Sequence, residues 1–285
     1  MGGVNPFSAS PRLCGERAFM DIEKIKIIGG YGKTGEKEPV GEVTFKMGDV
    51  VSIVGPTGSG KTALINDVEL FANENTPSRR KVLINGLISS EEPLGEPSKN
   101  PIAMITQHTN FLSDLSVRSF LSTHAKIRGK AGSVPSLVEE TIEFANQLTG
   151  EPIIVERAMT ELSGGQARAL MITDAVVIGN SPIILLDEIE NAGIDRIRAV
   201  ELLRQYKKIF IFVTHDLRIT LLSDFRIVMK SGAMQKMVVT GDEEKRVAKE
   251  IIKLDDLMVD LRNQIRFGKT LNEETVEESL RALIK

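Results

Sequence analysis

Short apolar runs alternate along the chain with segments whose apolar residues recur every three or four positions. "IEKIKII" (22–28) predicts a strand, broken by Gly29, Gly30, Gly32 and Gly35. "VTFKMGD" (43–49) predicts a strand and a turn, and "VVSIV" (50–54) is apolar almost throughout, the pattern of a strand buried on both faces of a parallel sheet. "KVLIN" (81–85), "IAMIT" (102–106), "IILLD" (183–187), "IFIFVT" (209–214) and "FRIVMK" (225–230) predict further strands. Helical spacing runs through 62–74, 116–128, 134–150 and 243–266. Strands alternating with helices predict an α/β fold. Between Thr106 and Glu161 no strand signal occurs, so that stretch reads as a helical insertion in the α/β core. Residues 86–100, rich in Pro, Gly, Ser and Glu, read as an exposed loop.

The segment 243–266 carries Val247, Ile251, Leu254, Met258, Leu261 and Ile265 at alternating steps of four and three, the heptad spacing. Thr240-x-x-Glu243 reads as a capping box at its start and Gly268 as its stop. Such a stripe meets either the chain's own core or another copy, and the sequence leaves both open.

Composition narrows the class without changing the fold. The 285 residues suffice for one large α/β domain with appendages; 41% hydrophobic and 26% charged residues are those of an ordinary globular protein. A net charge of −3 with no basic block argues against nucleic acid or an acidic membrane as a direct partner. A lone cysteine, Cys14, excludes an intrachain disulfide and a Cys-based zinc cluster, and three histidines leave little for a metal site. No run approaches the ~18 apolar residues of a spanning helix. Residues 1–19 lack the apolar stretch of a signal peptide and read as a disordered leader, with Met20 opening the patterned chain. The default expectation is cytoplasmic, with room for attachment to the inner face of the membrane.

The candidate chemistry begins at "GPTGSGKT" (55–62), between an apolar strand and a helix. It fits G-x-x-x-x-G-K-[ST]: the glycines let backbone N–H groups wrap phosphates, Lys61 reaches the β and γ phosphates, and the Thr62 hydroxyl can ligate Mg²⁺. "IILLDE" (183–188) carries Asp187 to the end of a buried strand, where it can hold Mg²⁺ through water, and Glu188 can orient or deprotonate the attacking water. "LSGGQ" (162–166) offers a second backbone turn suited to an anion. With one P-loop in the chain, that turn would serve a nucleotide held by another copy, or by a homologous ABC subunit, packed head-to-tail.

These motifs resemble the ATP-binding cassette (ABC) ATPase family over about residues 22–240. "GPTGSGKT" is similar to its Walker A, "TQHTNFLSDLSV" (106–117) to the Q-loop, "ELSGGQ" (161–166) to the signature, "IILLDE" to the Walker B and "VTHD" (213–216) to the switch histidine segment. The resemblance implies a P-loop NTPase (RecA-like) α/β core of ABC type with a helical subdomain insertion and an antiparallel β subdomain. Residues 20–106 and 167–240 would form the core, 107–166 the helical subdomain and 241–285 a C-terminal helical extension. It further implies ATP hydrolysis with Mg²⁺ in a head-to-tail dimer. Gly55, Pro56, Thr57, Gly58, Ser59, Gly60, Lys61 and Thr62 would hold the nucleotide, with Tyr31 stacked on adenine. Ser163, Gly164, Gly165 and Gln166 would cap ATP across the dimer. Gln107 would complete the Mg²⁺ and water shell beside Thr62 and Asp187, and His215 would contact the γ-phosphate and hold Glu188 in register.

Departures from the family pattern are local. Ile189-Glu190 replaces the usual Pro-Thr after Glu188, and "NAGID" is one residue longer than the common loop, which puts Asp195 in question as its aspartate. Arg168 stands two past Gln166 instead of three, and Asp174 stands where an arginine is common. The resemblance implies either a transporter subunit with a separate membrane permease or a soluble ATPase that assembles, remodels or reactivates an enzyme or cofactor complex. The sequence leaves these two even.

Overall fold

The computed structural model describes residues 22–88, 100–106, 108–129, 134–189 and 194–284. The predicted leader 1–19, most of the predicted loop 86–100, Gln107 and the 190–193 part of the departing loop lie outside the described residues. The strands are β1 (Lys24–Ile28), β2 (Glu42–Lys46), β3 (Val50–Val54), β4 (Lys81–Ile84), β5 (Leu87–Ile88), β6 (Ile102–Ile105), β7 (Ile183–Asp187), β8 (Ile209–Val213), β9 (Phe225–Lys230) and β10 (Ala233–Val239). The helices are α1 (Lys61–Glu69), α2 (Val117–Ile127), α3 (Val134–Leu148), α4 (Gly164–Val177), α5 (Arg196–Gln205), α6 (Leu217–Leu222), α7 (Asp242–Arg266) and α8 (Glu273–Ile284).

A six-stranded sheet runs in the order β10-β9-β3-β8-β7-β6, parallel throughout except for the β9–β10 hairpin. A second, antiparallel sheet runs β2-β1-β4-β5. Successive strand residues point to opposite faces, and the core divides accordingly. Val50, Ile184, Leu186, Phe210 and Phe212 face one hydrophobic cluster with residues of α2, α3, α4 and α5. Val51, Ile53, Ile183, Leu185, Ile209, Ile211 and Val213 face the other, with Leu64, Ile65 and Val68 of α1 and with β1 and β2. Burial on both faces is why these strands read as continuous apolar runs. Each fully buried Val, Leu or Ile stabilises the fold by about 1.5–3 kcal/mol of transfer free energy.

Three expectations change, and the α7 stripe, left open, proves exposed. The helix predicted over 62–74 ends at Glu69; Leu70 caps it, Phe71 (φ 49°) and Glu74 (φ 63°) take left-handed backbone, and Asn73 turns back to bridge Lys81. Strand β10 was not foreseen, although Ser231 and Gly232 stand as turn residues between it and β9. The Thr240/Glu243 capping box does not form: Gly241 is the cap residue, no side chain caps α7, and the buried Thr240 hydroxyl has no hydrogen-bond partner. The stripe of α7 is largely uncovered, with Val247, Leu254, Met258 and Ile265 each 44–58% exposed. The helix lies instead on α6, pinned to β9 by Arg226–Glu244 at 2.8 Å, and ends as expected at Gly268 (φ 76°).

Candidate functional site

The parallel strands deliver their C-terminal ends to one edge of the sheet: β3 into 55–60, β6 into Thr106, β7 into Asp187 and Glu188, β8 into Thr214 and His215, β9 into Ser231 and Gly232. Open α/β sheets bind ligands at this edge. A cleft of about 320 Å³ opens there, lined by Lys33, residues 57–63, Glu188 and His215. Chain-distant candidates thus converge on the phosphate loop.

The loop's geometry suits an anion. Helix α1 has no side-chain cap, so its first-turn N–H groups and the positive end of its dipole face the cleft. Lys61 folds back over the loop, its Nζ donating to the Gly55 carbonyl at 3.0 Å and the Pro56 carbonyl at 3.3 Å, while Thr62 is exposed to the cleft. The Ser59 hydroxyl is buried without a hydrogen-bond partner. These features fit a polyphosphate with a hard cation. Gly60 takes φ 98°, and a Cβ there would lie 2.7 Å from the Gly232 Cα. That close approach lets the β9–β10 turn brace the loop: Gly232 N donates to Ser59 O at 2.8 Å, and Lys33 N to Ser231 O at 2.8 Å.

Glu188 is placed by an unusual backbone. It takes φ 49°, uncommon for a residue with a side chain, and its N–H is held by Val213 O at 2.9 Å. The turn carries its side chain from the half-buried end of β7 to the wall of the cleft. Strain of this kind clusters at functional sites.

His215 follows Thr214, whose N–H reaches Ile53 O at 3.3 Å. Beside it, Asp216 caps α6 and accepts from four donors: Arg218 N (2.7 Å), Nε (3.1 Å) and Nη2 (2.8 Å), and Arg196 Nη1 (2.6 Å). Burial pushes its carboxyl up, and the hydrogen bonds from Arg218 and Arg196 outweigh burial, holding it down at about 2.

The remaining candidates lie elsewhere. Tyr31 does not line the cleft; the residue is 41% exposed, with the Arg79 guanidinium 5.9 Å from its ring centroid. Ser163 to Gln166 do not line it either. They form the N-terminus of α4 as a capping box: Ser163 Oγ accepts from Gln166 N (3.3 Å) and Gln166 Oε1 from Ser163 N (3.1 Å). Gln166 is buried, and its amide donates to Pro152 O at 3.1 Å, so it holds the turn from within, leaving Ser163, Gly164 and Gly165 at the surface. Asp195 caps α5 by accepting from Arg198 N (3.0 Å), and its own N–H donates to Leu148 O of α3 (2.9 Å). The departing Asp174 pairs with His124 Nδ1 at 2.8 Å, joining α4 to α2.

Two contributors escaped sequence reading. Lys33 brings a second ammonium into the cleft, its Nζ donating to Gly58 O at 2.8 Å; its place two residues past Tyr31 was the available signal. Arg80, fully buried, joins Glu38 (Nη2–Oε1 2.6 Å), Asp67 of α1 (Nη1–Oδ2 2.7 Å) and Gly232 O (2.7 Å). Burial works against its charge, and Glu38 and then Asp67 outweigh that and raise its pKa.

A phosphate loop, an acid at the end of β7 and a histidine at the end of β8 on one edge define a P-loop ATPase of cassette type. The ABC transporter family profile matches residues 41–191, and the chain belongs to this family; it is an ABC-type ATPase, an ATP hydrolase. It is 49% identical over 257 residues (90% of this chain, 98% of the relative) to an uncharacterized ABC transporter ATP-binding protein of Methanocaldococcus jannaschii. It is 30% identical over 230 residues to the spermidine/putrescine import ATP-binding protein PotA of Bacteroides fragilis, covering 77% of this chain and about half (48%) of that protein. The fold is similar to cbiO1 of Clostridium perfringens, part of the transporter complex cbiONQ (TM-score 0.61, 20% identity, 86% of this chain and 99% of that one). It is also similar to a dimeric ATP-binding cassette with ADP and Pi bound (TM-score 0.58, 21% identity, 76% and 99%). No helix among the described residues is long and apolar enough to cross a membrane.

Proposed function

We propose that the chain is the nucleotide-binding subunit of an ABC transporter, closing in head-to-tail pairs around MgATP and hydrolysing it to drive a separate membrane permease. The convergence of the phosphate loop, Glu188 and His215 on one cleft carries the ATPase reading, and the names of the relatives favour transport over a soluble remodelling ATPase.

In this reading the loop N–H groups of 55–62 and Lys61 hold the β and γ phosphates. Tyr31 offers adenine the ring face that Arg79 does not cover. Thr62, Asp187 and Gln107 would hold Mg²⁺, which supplies charge neutralisation on the phosphates. Glu188 accepts a proton from, or orients, the attacking water; an oxygen–phosphorus bond forms as the γ-phosphorus leaves the bridging oxygen, giving ADP and phosphate. His215 contacts the γ-phosphate and steadies that water. Ser163, Gly164 and Gly165, standing away from their own chain's cleft, suit the γ-phosphate of a second copy, with Gln166 shaping their turn. Residues 107–166 form the subdomain that meets the permease; Leu112, 95% exposed, and Leu115, 47% exposed, suit an apolar partner helix there. The C-terminal residues 241–285 lie outside this assignment, and the permease would tether the subunit to the membrane.

The test is Glu188→Gln. It should bind ATP as the parent does, lose hydrolysis by about 10²-fold or more, and run as a dimer on size exclusion in ATP and Mg²⁺. A monomer at saturating ATP refutes the paired site. Purification from native membranes with a polytopic protein supports transport; recovery with a soluble enzyme instead overturns it.

A further inference from the structure

The C-terminal helix is wired to the candidate catalytic loop. Asp255, in the middle of α7, pairs with Arg218 Nη1. Arg218, only 11% exposed, grips both carboxylate oxygens of Asp216, the residue after His215. Arg196, at the start of α5, donates to the same carboxylate at 2.6 Å. One chain of charges thus joins α7, the start of α5 and the loop bearing His215. A cavity of about 500 Å³ separates α7 from that loop, walled by His215, Asp216, Leu254 and Met258. His215 therefore forms a wall shared by this cavity and the phosphate cleft. The loop is fixed at one side to β3, through Thr214 N on Ile53 O, and at the other by the cap of α6, which α7 holds.

We infer that Asp255 is a positioning residue for hydrolysis: through Arg218 and Asp216 it sets where His215 stands, so that α7 controls the turnover of the ATP site from outside it. This rests on the role proposed above for His215.

The test is Asp255→Asn, a neutral isostere that breaks the ion pair, measured in the full chain. The expected result is a kcat reduced about three- to tenfold, with KM for ATP and ATP affinity within about twofold of the parent and a melting temperature changed by less than about 2 °C, as for a partly exposed ion pair. Asp255→Glu, which keeps the carboxylate, should recover most of kcat. In a His215→Ala background, Asp255→Asn should cause no further loss. An unchanged kcat in a folded Asp255→Asn protein overturns the inference while leaving the role of His215 intact. Full activity of His215→Ala overturns the role of His215 and the inference with it. A loss in Asp255→Asn that multiplies with that of His215→Ala overturns the route through His215. Should Asp255→Asn prove unstable, Arg218→Gln read the same way decides.

Discussion

Replacing Arg80 with Met isolates the link between the antiparallel sheet and the phosphate loop. Met keeps most of the apolar stem, so packing is nearly conserved and the loss is electrostatic. What disappears is the Glu38 fork (2.6 and 3.1 Å), the Asp67 contact (2.7 Å) and the donor to Gly232 O (2.7 Å). Neither carboxylate is stranded entirely: Glu38 keeps the N–H groups of Gly30 (2.8 Å) and Met234 (2.6 Å), and Asp67 keeps the Ser78 hydroxyl (2.7 Å). Two acids still lose their one shared buried cation, and breaking a buried pair this way costs about 3–5 kcal/mol. For a protein of this size that corresponds to a melting temperature lower by on the order of 10 °C. Arg80→Lys should recover little, since an ammonium has no planar fork to span Glu38, Asp67 and Gly232 together.

The function should follow the stability. Gly232 accepts from Arg80 and donates to Ser59 of the phosphate loop at 2.8 Å, so freeing its carbonyl loosens the loop's brace. ATP affinity of Arg80→Met, measured below its melting range, should fall several-fold, while Glu188 and His215, outside this network, keep the residual rate at saturation. Thermal unfolding and nucleotide titration of the same preparation read both effects. A melting temperature within about 2 °C of the parent refutes the assignment of Arg80 as a structural cation.

Two further substitutions test single contacts. Gly60→Ala forces a Cβ to 2.7 Å from the Gly232 backbone at φ 98°; strain of about 1–3 kcal/mol displaced into the loop should weaken ATP binding roughly tenfold in nucleotide titration, and parental affinity would contradict it. Burial pushes the Lys208 ammonium down to about 8 from 10.5, so the folded state carries the full penalty below pH 8 and sheds it as pH rises towards the unfolded value. Lys208→Met should therefore unfold at higher temperature than the parent at pH 7, with the gap narrowing from pH 8 upward, unless losing the Nζ bond to Asn180 Oδ1 (2.7 Å) offsets it; a gap constant with pH rules the account out.

The parts legible in the sequence share a physical cause. β3, β7 and β8 are buried on both faces, so their residues form continuous apolar runs, and the breaks that end them, glycine at Gly55 and polar residues at Asp187 and Thr214, mark the ligand edge directly. What was missed depends on pairing across long separations. Arg80 reads as an ordinary surface arginine until Glu38, 42 residues away, and Asp67 close around it. β10 has no clean alternation because a bulge between Met234 and Lys236 shifts its register, so that two buried residues are followed by two exposed ones. The capping box at Thr240 fails because the residue is drawn inward, its N–H donating to Asp224 O, which leaves Gly241 to begin α7. The stripe of α7 was readable as a pattern, but a pattern names no partner; its ion pairs to α6 through Asp255 and Arg218 and to β9 through Glu244 and Arg226 say what the helix touches.

The chain breaks local rules where its chemistry gathers. Helix α1 begins without a side-chain cap, Gly60 and Glu188 sit in left-handed backbone, and the Ser59 hydroxyl is buried without a hydrogen-bond partner. For Glu188 that backbone costs about 1–3 kcal/mol, whereas glycine adopts it freely; the uncapped helix end and the unpaired hydroxyl cost stability as well. Their surroundings are correspondingly over-determined: Arg80 ties α1 to Glu38, Gly232 lies under Gly60, and Val213 O holds Glu188 N. A rigid frame with unsatisfied donors at one edge is what preorganised phosphate binding requires, because the donors then need no rearrangement as charge develops. The same logic separates the two anion turns. The turn at Ser163 is already satisfied by its own capping box with Gln166, so it holds its shape without ligand and has little to gain alone. In the proposed pairing, the uncapped turn at Gly60 would gain a polyphosphate, and the capped turn would meet one held by a second copy.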